Sequence, residues 1–196
     1  MILKVSASML EYRRPLDSPA QNGTGCLVDD RGLQVVAIDL GLLLLQSTSE
    51  STLHDALMAE IGLQLPMPQE ACVSGEYALL WLTPAEWLLE HPASETESLQ
   101  IALSGRFATS LATVTNMNGA YACYEISGTR AAEVLMSGCS VNLHTHAFPA
   151  NRVARTALAD VPAIIWNIGR PQRLRCLVDR SFAAHLRDWL VTTVSR

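Results

Sequence analysis

Apolar residues recur along the chain with two different periods, which predicts a mixture of strands and helices. Residues 33–39 are rich in β-branched side chains and predict a strand, and the leucines at 42–45 extend it or form a second strand. Serine and threonine at 49–52 offer helix N-caps, and the apolar residues that follow recur at helical spacing as far as Gly62. A Leu-Pro-Met-Pro connection then leads to the next strand.

The segment at residues 77–89 has two interpretations. Residues 77–82 form a strand in both. Pro84 then either opens a helix that Thr83 caps, or takes the second position of a tight turn. We favour the turn, because the Trp-Leu-Leu sequence at 87–89 suits a strand. The segment therefore predicts a β-hairpin.

A second helix and a second hairpin are predicted in the middle of the chain. The helix covers residues 94–106 and stops near Gly105. Strands at 109–115 and 120–126 follow, and the turn at 116–119 ends in Asn-Gly. Asn-Gly is a strong hairpin signal, because both residues tolerate a positive φ. We therefore expect these two strands to pair with each other.

The remaining sequence predicts two more helices around one more pair of strands. A helix begins at Gly128, strands cover 161–168 and 174–178, and a final helix runs from Ser181 to about residue 194. The predicted order is therefore β α ββ α ββ α ββ α. Strands that come in pairs indicate an α+β fold, with largely antiparallel sheets and helices on one face of each.

Residues that break regular structure set the domain boundary. Residues 1–32 contain few periodic apolar positions and many glycines, prolines and aspartates, so we expect an irregular arm with at most short helical or strand pieces. Residues 33–196 then form one α+β domain of two mixed sheet-and-helix halves that share a core, at about 33–115 and 116–196. An arm of this kind either lacks fixed structure or lies along a partner.

The charge of the chain argues against nucleic-acid binding and favours a protein partner. There are 14 basic and 19 acidic residues, the net charge is −5, and Lys4 is the single lysine. Such a chain lacks the basic stripe that holds a phosphate backbone. The charged fraction of 17% is below the ~25% usual in soluble domains. This shortage of charge indicates a surface that a partner covers.

The cysteines and the N-terminus indicate the compartment. Five cysteines, an odd number without a Cys-x-x-Cys pair, argue against a disulfide framework or a zinc ribbon and favour reduced, mostly buried thiols. The N-terminus lacks the basic and apolar regions of a signal peptide. The longest apolar run, at 40–45, is far shorter than the ~20 residues of a membrane span. We therefore expect a cytoplasmic protein without a membrane segment.

His144 and His146 are the first candidates for chemistry. In an extended segment, positions i and i+2 lie on one side, and metal sites use this spacing. Cys139 and Asp160 are the nearest candidates for a third ligand. The alternative, which we favour, is a loop in which one histidine hydrogen-bonds to neighbouring backbone and the other faces solvent.

Cys139 and the start of the final helix are two further candidates. A thiol becomes a nucleophile when its pKa is lowered, but Cys139 follows a predicted helix C-terminus, whose dipole raises a thiol pKa. We therefore expect a buried structural cysteine. Arg180 and Ser181 together suit an anion at a helix N-terminus. The alternative that we favour is that Ser181 caps the helix while Arg180 pairs with Asp179 or Asp160.

The sequence contains none of the short motifs that usually mark an independent enzyme. It has no paired-carboxylate motif, Gly-x-Gly-x-x-Gly, Gly-x-Ser-x-Gly or His-Glu-x-x-His. The candidates above also have structural explanations. We therefore predict that this chain carries no catalytic, cofactor-binding or metal-binding residues of its own.

Four segments of the chain resemble the gamma subunit of heterotetrameric sarcosine oxidase. They are Leu-Trp-Leu-Thr-Pro-Ala-Glu-Trp-Leu-Leu at 80–89, the Ser-Gly helix at 127–135, the turn from Gly-Cys to Phe-Pro at 138–149, and Arg-Ser-Phe-Ala with Trp-Leu at 180–190. The chain departs from the usual family residues at Thr83, Thr129, Asn142, Thr145 and Asn151. These departures leave the matching subunit of an N-methylglutamate or other N-methyl amine dehydrogenase as an alternative.

The resemblance implies both a fold and a function. The fold is related to the folate-binding aminomethyltransferase family, with paired α+β halves. The function is that of a structural, non-catalytic subunit of an enzyme that oxidatively demethylates sarcosine to glycine. The partners are then the alpha, beta and delta subunits, and they hold FAD, FMN, NAD, tetrahydrofolate and zinc while this chain holds none.

Two hypotheses of other classes stay open. A stand-alone folate-binding protein or aminomethyltransferase on the same fold requires a carboxylate in its pocket to hold the pterin and a longer, two-domain chain. A metal-dependent enzyme at His144 and His146 is the third and weakest hypothesis.

Overall fold

The computed structural model describes residues 25–30, 32–108, 110–169 and 173–194, so most of the predicted arm at 1–32 lies outside the described residues. The strands are β1 (Cys26–Asp30), β2 (Leu33–Ile38), β3 (Gly41–Ser47), β4 (Ala71–Ser74), β5 (Tyr77–Thr83), β6 (Glu86–His91), β7 (Ala112–Asn116), β8 (Tyr121–Gly128), β9 (Val153–Leu158), β10 (Val161–Gly169) and β11 (Arg173–Asp179). The helices are α1 (Glu50–Ile61), α2 (Thr96–Phe107), α3 (Ala131–Met136) and α4 (Ala183–Val194), with short 3-10 turns at Ala93–Glu95 and Arg180–Phe182.

The strands form two antiparallel sheets. The first has six strands in the order β1-β2-β8-β11-β10-β9, and the second has five in the order β4-β5-β6-β3-β7. All neighbouring strands run antiparallel. Helices and antiparallel sheets in this arrangement confirm the predicted α+β class.

The two sheets face each other and helices cover their outer faces, which gives four layers. One apolar cluster joins α3 and α4 to the six-stranded sheet, and another joins α1 and α2 to the five-stranded sheet. A third cluster lies between the sheets and includes Leu42 and Leu88 from one and Ile164 and Leu177 from the other. Each sheet is therefore buried on both faces, which explains the unbroken leucine run at 42–45.

The cysteines and the helices can be compared with two expectations from the sequence, namely reduced thiols and the lack of a membrane segment. All five cysteines are unpaired, and Cys123 and Cys176 are buried. In the described ranges, none of the helices combines the length and the apolar character that a membrane crossing requires.

Local sequence signals correctly predicted α1 and the β5–β6 hairpin. The hydroxyl of Ser49 accepts a hydrogen bond from the Thr52 N–H at 3.4 Å, and Gly62 ends the helix with a φ of 63°. Leu53 and Leu57 are buried on the face that meets the sheet. Pro84 lies in the turn between β5 and β6, which pair antiparallel.

The predicted hairpin across residues 116–119 is wrong. β7 pairs with β3 in the five-stranded sheet, whereas β8 pairs with β2 and β11 in the six-stranded sheet. Gly119 does have a positive φ of 72°, so the turn chemistry is present. Asn118, however, accepts from the Leu42 N–H at 2.7 Å and donates to Thr96 Oγ1 at 2.9 Å. These bonds fix a connection that passes from one sheet to the other.

The predicted end of α2 at residue 106, near Gly105, agrees with the structure to within one residue. The helix continues to Phe107, which is 3% exposed and lies on the same buried stripe as Leu103. Burial of a phenylalanine side chain contributes about 1.5–3 kcal/mol, which exceeds the ~1 kcal/mol that a glycine costs inside a helix. Packing against the sheet therefore extends the helix past the glycine.

The prediction missed the strands β4 and β9, and one predicted strand crosses the expected division of the domain. Both are edge strands whose positions mix buried and less buried residues, so their alternation is weak. β1 is a short strand inside the predicted arm, for which short strand pieces were expected. β2 falls in the expected half 33–115 but pairs with β8 in the half 116–196. The two sheets therefore do not coincide with the two halves expected from the sequence.

Replacing Gly128 by alanine should destabilise the protein by at least about 2 kcal/mol, because strained backbone and steric overlap act together. Its φ is +115°, and a Cβ there would overlap the carbonyl oxygen of Gly32 in the β2–β8 pairing. Urea unfolding of the Gly128→Ala variant measures the loss.

Gly105→Ala is the matched control, since a Cβ at Gly105 meets nothing within 4 Å. This helical position should gain about 0.5–1 kcal/mol from the same substitution. Equal effects of the two substitutions would contradict the described β2–β8 pairing.

Candidate functional site

A network of ion-paired side chains joins the inner faces of the two sheets. Glu90 of β6 belongs to the five-stranded sheet, whereas Arg175 of β11 and Glu125 of β8 belong to the six-stranded sheet. Arg175 donates from Nη1 to Glu90 Oε2 and from Nη2 to Glu125 Oε2, the second bond measuring 3.1 Å. Arg173 extends this network towards solvent, and its Nε lies 2.8 Å from Glu125 Oε1. We call these four residues the intersheet charge cluster.

Strand alternation and register place this cluster. On β6, Glu90 points to the same inner face as Leu88, which belongs to the apolar layer between the sheets. Arg175 lies directly opposite Glu125 in the β8–β11 pair and opposite Trp166 in the β10–β11 pair. The guanidinium therefore meets a carboxylate on one side and an indole on the other, with Arg175 Cζ 5.2 Å from the Trp166 ring centroid.

Three members of the intersheet charge cluster are largely shielded from solvent, whereas Arg173 at its outer end is 49% exposed. The exposed fractions of the side chains are 3% for Glu90 and 14% for both Arg175 and Glu125. Among the described residues, Glu90 Oε1, Arg175 Nε and Trp166 Nε1 are buried without a hydrogen-bond partner. Since a buried charge without its counter-charge is costly, the folded state requires that Glu90 and Arg175 stay together.

Burial shifts the protonation of Glu90 towards neutral pH. Burial raises the pKa of Glu90 to about 7, and the attraction of Arg175 opposes this shift only in part. Burial alone would lower the pKa of Arg175, but the charges of Glu90 and Glu125 outweigh it and the net shift is upward. Arg175 therefore stays charged, whereas Glu90 exchanges its proton near neutral pH.

The geometry suits the cluster to holding the sheets together rather than to binding a substrate. Glu90 and Arg175 face each other across the layer between the sheets. Cavities of about 310, 470 and 250 Å³ among the described residues are lined by other side chains. A group that converts a substrate must reach it, and these charges instead contact one another.

The two histidines that were considered as candidate metal ligands lie in an exposed turn. Their rings stack with centroids 5.9 Å apart and planes 12° apart. The His144 N–H donates to Asn142 Oδ1 at 3.1 Å, which fixes the turn. No group of three or more His, Cys, Asp or Glu side chains suited to a metal ion is found in the described part of the chain. The structure therefore does not bring Cys139 or Asp160 to His144 and His146.

Cys139 and Asp160 instead line a shallow cavity of about 470 Å³ together with Trp189. Burial raises the pKa of Cys139, and its Sγ donates weakly to Val141 O at 3.8 Å. The thiol form therefore prevails at neutral pH, which disfavours the nucleophile hypothesis.

Asp179, and not Ser181, caps the segment that leads into α4. Asp179 Oδ1 accepts from the Ser181 N–H at 2.8 Å and from the Ser181 hydroxyl at 2.6 Å. These hydrogen bonds hold the pKa of Asp179 below its usual value. The predicted cap at Ser181 is therefore wrong by two positions. The error arose because an aspartate and a serine are equally good caps in sequence.

Sequence analysis missed Glu90, Glu125 and Arg175. Each stands directly next to an apolar residue of its strand, as Glu90 does next to Leu89, and such an alternation usually places the charge in solvent. The signal that would have found them is the burial of both faces of each sheet, which leaves no solvated face. That fact depends on how the two sheets stack and not on any one segment.

Glu90→Gln should remove a stability term that falls as the pH rises. The folded pKa of about 7 exceeds the ordinary value of 4.5, so folded protein binds more protons than unfolded protein between these values. This stabilisation is fully present below about pH 4.5 and is lost through about pH 7, a change of about 3 kcal/mol.

Urea unfolding of wild type and Glu90→Gln at about pH 5 and about pH 8 measures the difference. Taking the difference between the two proteins removes the contribution of His91, whose pKa burial lowers and which acts in the opposite direction. A parallel pH dependence in both proteins would contradict the assignment to Glu90.

Arg175→Met should cost about 3–5 kcal/mol, because it leaves buried carboxylates without their counter-charge. The matched control is Arg106→Met on α2, where Arg106 is 51% exposed and its Nε lies 2.7 Å from Glu60 Oε1. That surface pair should contribute about 1 kcal/mol or less. Comparable losses of unfolding free energy in the two variants would contradict a structural role for the intersheet charge cluster.

Comparison with known protein sequences identifies relatives of this chain. The sequence model of the sarcosine oxidase gamma subunit family matches residues 45–195. The gamma subunit of sarcosine oxidase from Corynebacterium sp. (strain U-96) is 34% identical over 154 residues, which cover 77% of this chain and 73% of the relative. The gamma subunit from Arthrobacter sp is 31% identical over 144 residues, which cover 72% and 70%.

Solved structures give the same result. A chain of the heterotetrameric sarcosine oxidase from Corynebacterium sp. U-96, in complex with pyrrole 2-carboxylate, superimposes with a TM-score of 0.78 at 30% identity, covering 87% of this chain and 88% of that one. Aminomethyltransferase T of the glycine cleavage system from Bartonella henselae shares the fold at a TM-score of 0.61 and 14% identity, covering 82% of this chain and 45% of that one. The chain described here belongs to the sarcosine oxidase gamma subunit family.

Proposed function

We propose that this chain is the structural, non-catalytic gamma subunit of a heterotetrameric sarcosine oxidase. The enzyme oxidatively demethylates sarcosine to glycine, with formaldehyde or methylene-tetrahydrofolate and hydrogen peroxide as the other products. The observation that carries the proposal is the match to a chain of such an enzyme over 87% of this chain and 88% of that one. A match of this extent supports the same role within an assembly.

The partner subunits supply the chemistry in this proposal. They are the alpha, beta and delta subunits, and FAD, FMN, NAD, tetrahydrofolate and zinc are held there. The polar groups of this chain support that division, because they serve its own structure: Arg175 pairs with Glu90 and Glu125, and Asp179 binds Ser181.

The alternative of a stand-alone folate-binding protein has less support. That function needs a carboxylate that is free to hold the pterin. Glu90 and Glu125 are buried against Arg175, and Asp179, which lines the cavity of about 310 Å³, binds Ser181. The chain also covers only 45% of the aminomethyltransferase that shares its fold.

Substitution of the polar groups in the histidine turn and beside it should leave catalysis unchanged. We expect the complex assembled with a His144→Ala, His146→Ala, Cys139→Ala chain to keep kcat and KM for sarcosine within about 2-fold of wild type, a change below ~0.5 kcal/mol. Sarcosine-dependent oxygen uptake by the co-expressed complex measures both constants. A loss of kcat of about 100-fold or more with an intact complex would place catalytic groups in this chain.

Calorimetric titration of the isolated chain with tetrahydrofolate distinguishes the alternative. The proposal predicts no binding at micromolar concentrations. Saturable binding with a Kd near 1 μM, about −8 kcal/mol, would favour the folate-binding function instead.

A further inference from the structure

β7 is an edge strand with one open side. It pairs with β3 alone in the described structure and ends the five-stranded sheet. Met117, directly after the strand, donates its N–H to Leu42 O at 2.9 Å, which fixes the alternation of the antiparallel ladder. Every second residue before Met117 then faces β3, and the others face outwards. The residues whose N–H and C=O groups point away from β3 are Ala112, Val114 and Asn116.

These outward groups are available for hydrogen bonding. No hydrogen bond from elsewhere in the described chain reaches the backbone N or O atoms of Ala112, Val114 or Asn116. Open backbone groups along a strand are a template for another extended segment.

β7 also lacks the features that normally keep another strand away. Its sequence, Ala-Thr-Val-Thr-Asn, contains no charged residue and no proline, and its register with β3 has no bulge. Proteins usually protect an exposed edge with one of these features. The strand is instead rich in β-branched residues, which favour strand pairing.

Two of the other edge strands carry such protection. β1 ends in two aspartates and has a register irregularity between Cys26 and Val28. β9 carries Arg155, and its Val153 N–H already donates to Gln69 O at 2.8 Å. Both edges of the six-stranded sheet are therefore charged, and one of them is partly occupied.

The remaining edge, β4, is short and largely used. It has four residues, and its Ala71 N–H donates to Asn151 O at 2.7 Å. Val73 is then the one residue whose outward N–H is open, and Glu70 and Glu76 flank the strand. β7 therefore differs from all three other edges in being both uncharged and open along its length.

An exposed apolar side chain extends this surface. Leu111, directly before β7, is 85% exposed, the largest value among the exposed large apolar side chains of the described residues. A leucine beside an open edge suits contact with another protein chain. The side chains of Thr113 and Thr115 are also exposed and uncharged.

We propose that the open edge of β7 receives an extended segment of a partner subunit as an added strand of the five-stranded sheet. The inference rests on the proposed function, because the solved relative that matches 87% of this chain is part of a heterotetramer, whose other subunits supply the occupant. Backbone hydrogen bonds to Ala112, Val114 and Asn116 provide the affinity, and the segment that fits is uncharged and rich in β-branched residues with an apolar contact for Leu111.

Val114→Pro tests the proposal against Val114→Ala. Proline removes the outward N–H without taking a donor from the β3–β7 ladder, and edge strands tolerate it at such positions. Alanine removes the same partly buried side chain but keeps the N–H. In the co-expressed complex we expect Val114→Pro to weaken association at least about 10-fold relative to Val114→Ala. Equal association of the two variants would overturn the proposal.

Hydrogen exchange provides a second readout that needs no substitution. The amides of Ala112, Val114 and Asn116 should exchange at least about 10-fold more slowly in the complex than in the isolated chain. The amides of Thr113 and Thr115 donate to β3 and serve as internal references. Thermal unfolding of Val114→Pro establishes that this variant folds.

Three outcomes separate the possible failures. A chain that never associates with the partner subunits contradicts the proposed function itself. A complex that assembles without slower exchange at the three outward amides contradicts only the assignment to β7. A dimer of the isolated chain that already protects these amides would assign the edge to a second copy, and this also overturns the proposal.

Discussion

The guanidinium of Arg175 lies between a carboxylate from each sheet, Glu90 from one and Glu125 from the other. The rest of the four-layer structure depends on this contact, because both sheets bury their inner faces in the layer that contains it. The charges cannot separate without leaving a buried ion uncompensated, which costs several kcal/mol. The apolar residues around them supply most of the burial energy, while the charges fix which faces meet. The ionisation of Glu90 therefore affects both the free energy of unfolding and its dependence on pH.

Local structure could be read from the sequence, whereas the pairing of strands could not. Ser49 and Gly62 mark the ends of α1 because caps act within a few residues. Asn118 and Gly119 form a turn as expected, yet the strands beside it join different sheets, since bonds from Asn118 to Leu42 and Thr96 decide the direction of the chain. Long-range contacts of this kind have no signal within a short segment.

The same limit applies to the candidate site. The four segments that resemble the family lie within the residues that the family model matches. These segments were enough to identify the family from the sequence. They did not identify Glu90, Arg175 or Glu125, because a charge in an apolar strand usually faces solvent. Two of the candidates that did stand out, Cys139 and Ser181, make local hydrogen bonds in a turn and at a cap. A chain that uses its charges internally and leaves an uncharged edge at β7 suits assembly better than catalysis.

Native mass spectrometry of the chain co-expressed with its proposed partner subunits tests the central claim most directly. The account predicts a complex that contains one copy of this 21.3 kDa chain with each of its partners. Gas-phase dissociation of that complex should release the chain intact as a separate subunit. A complex with full sarcosine oxidase activity from which this chain is absent would contradict the account.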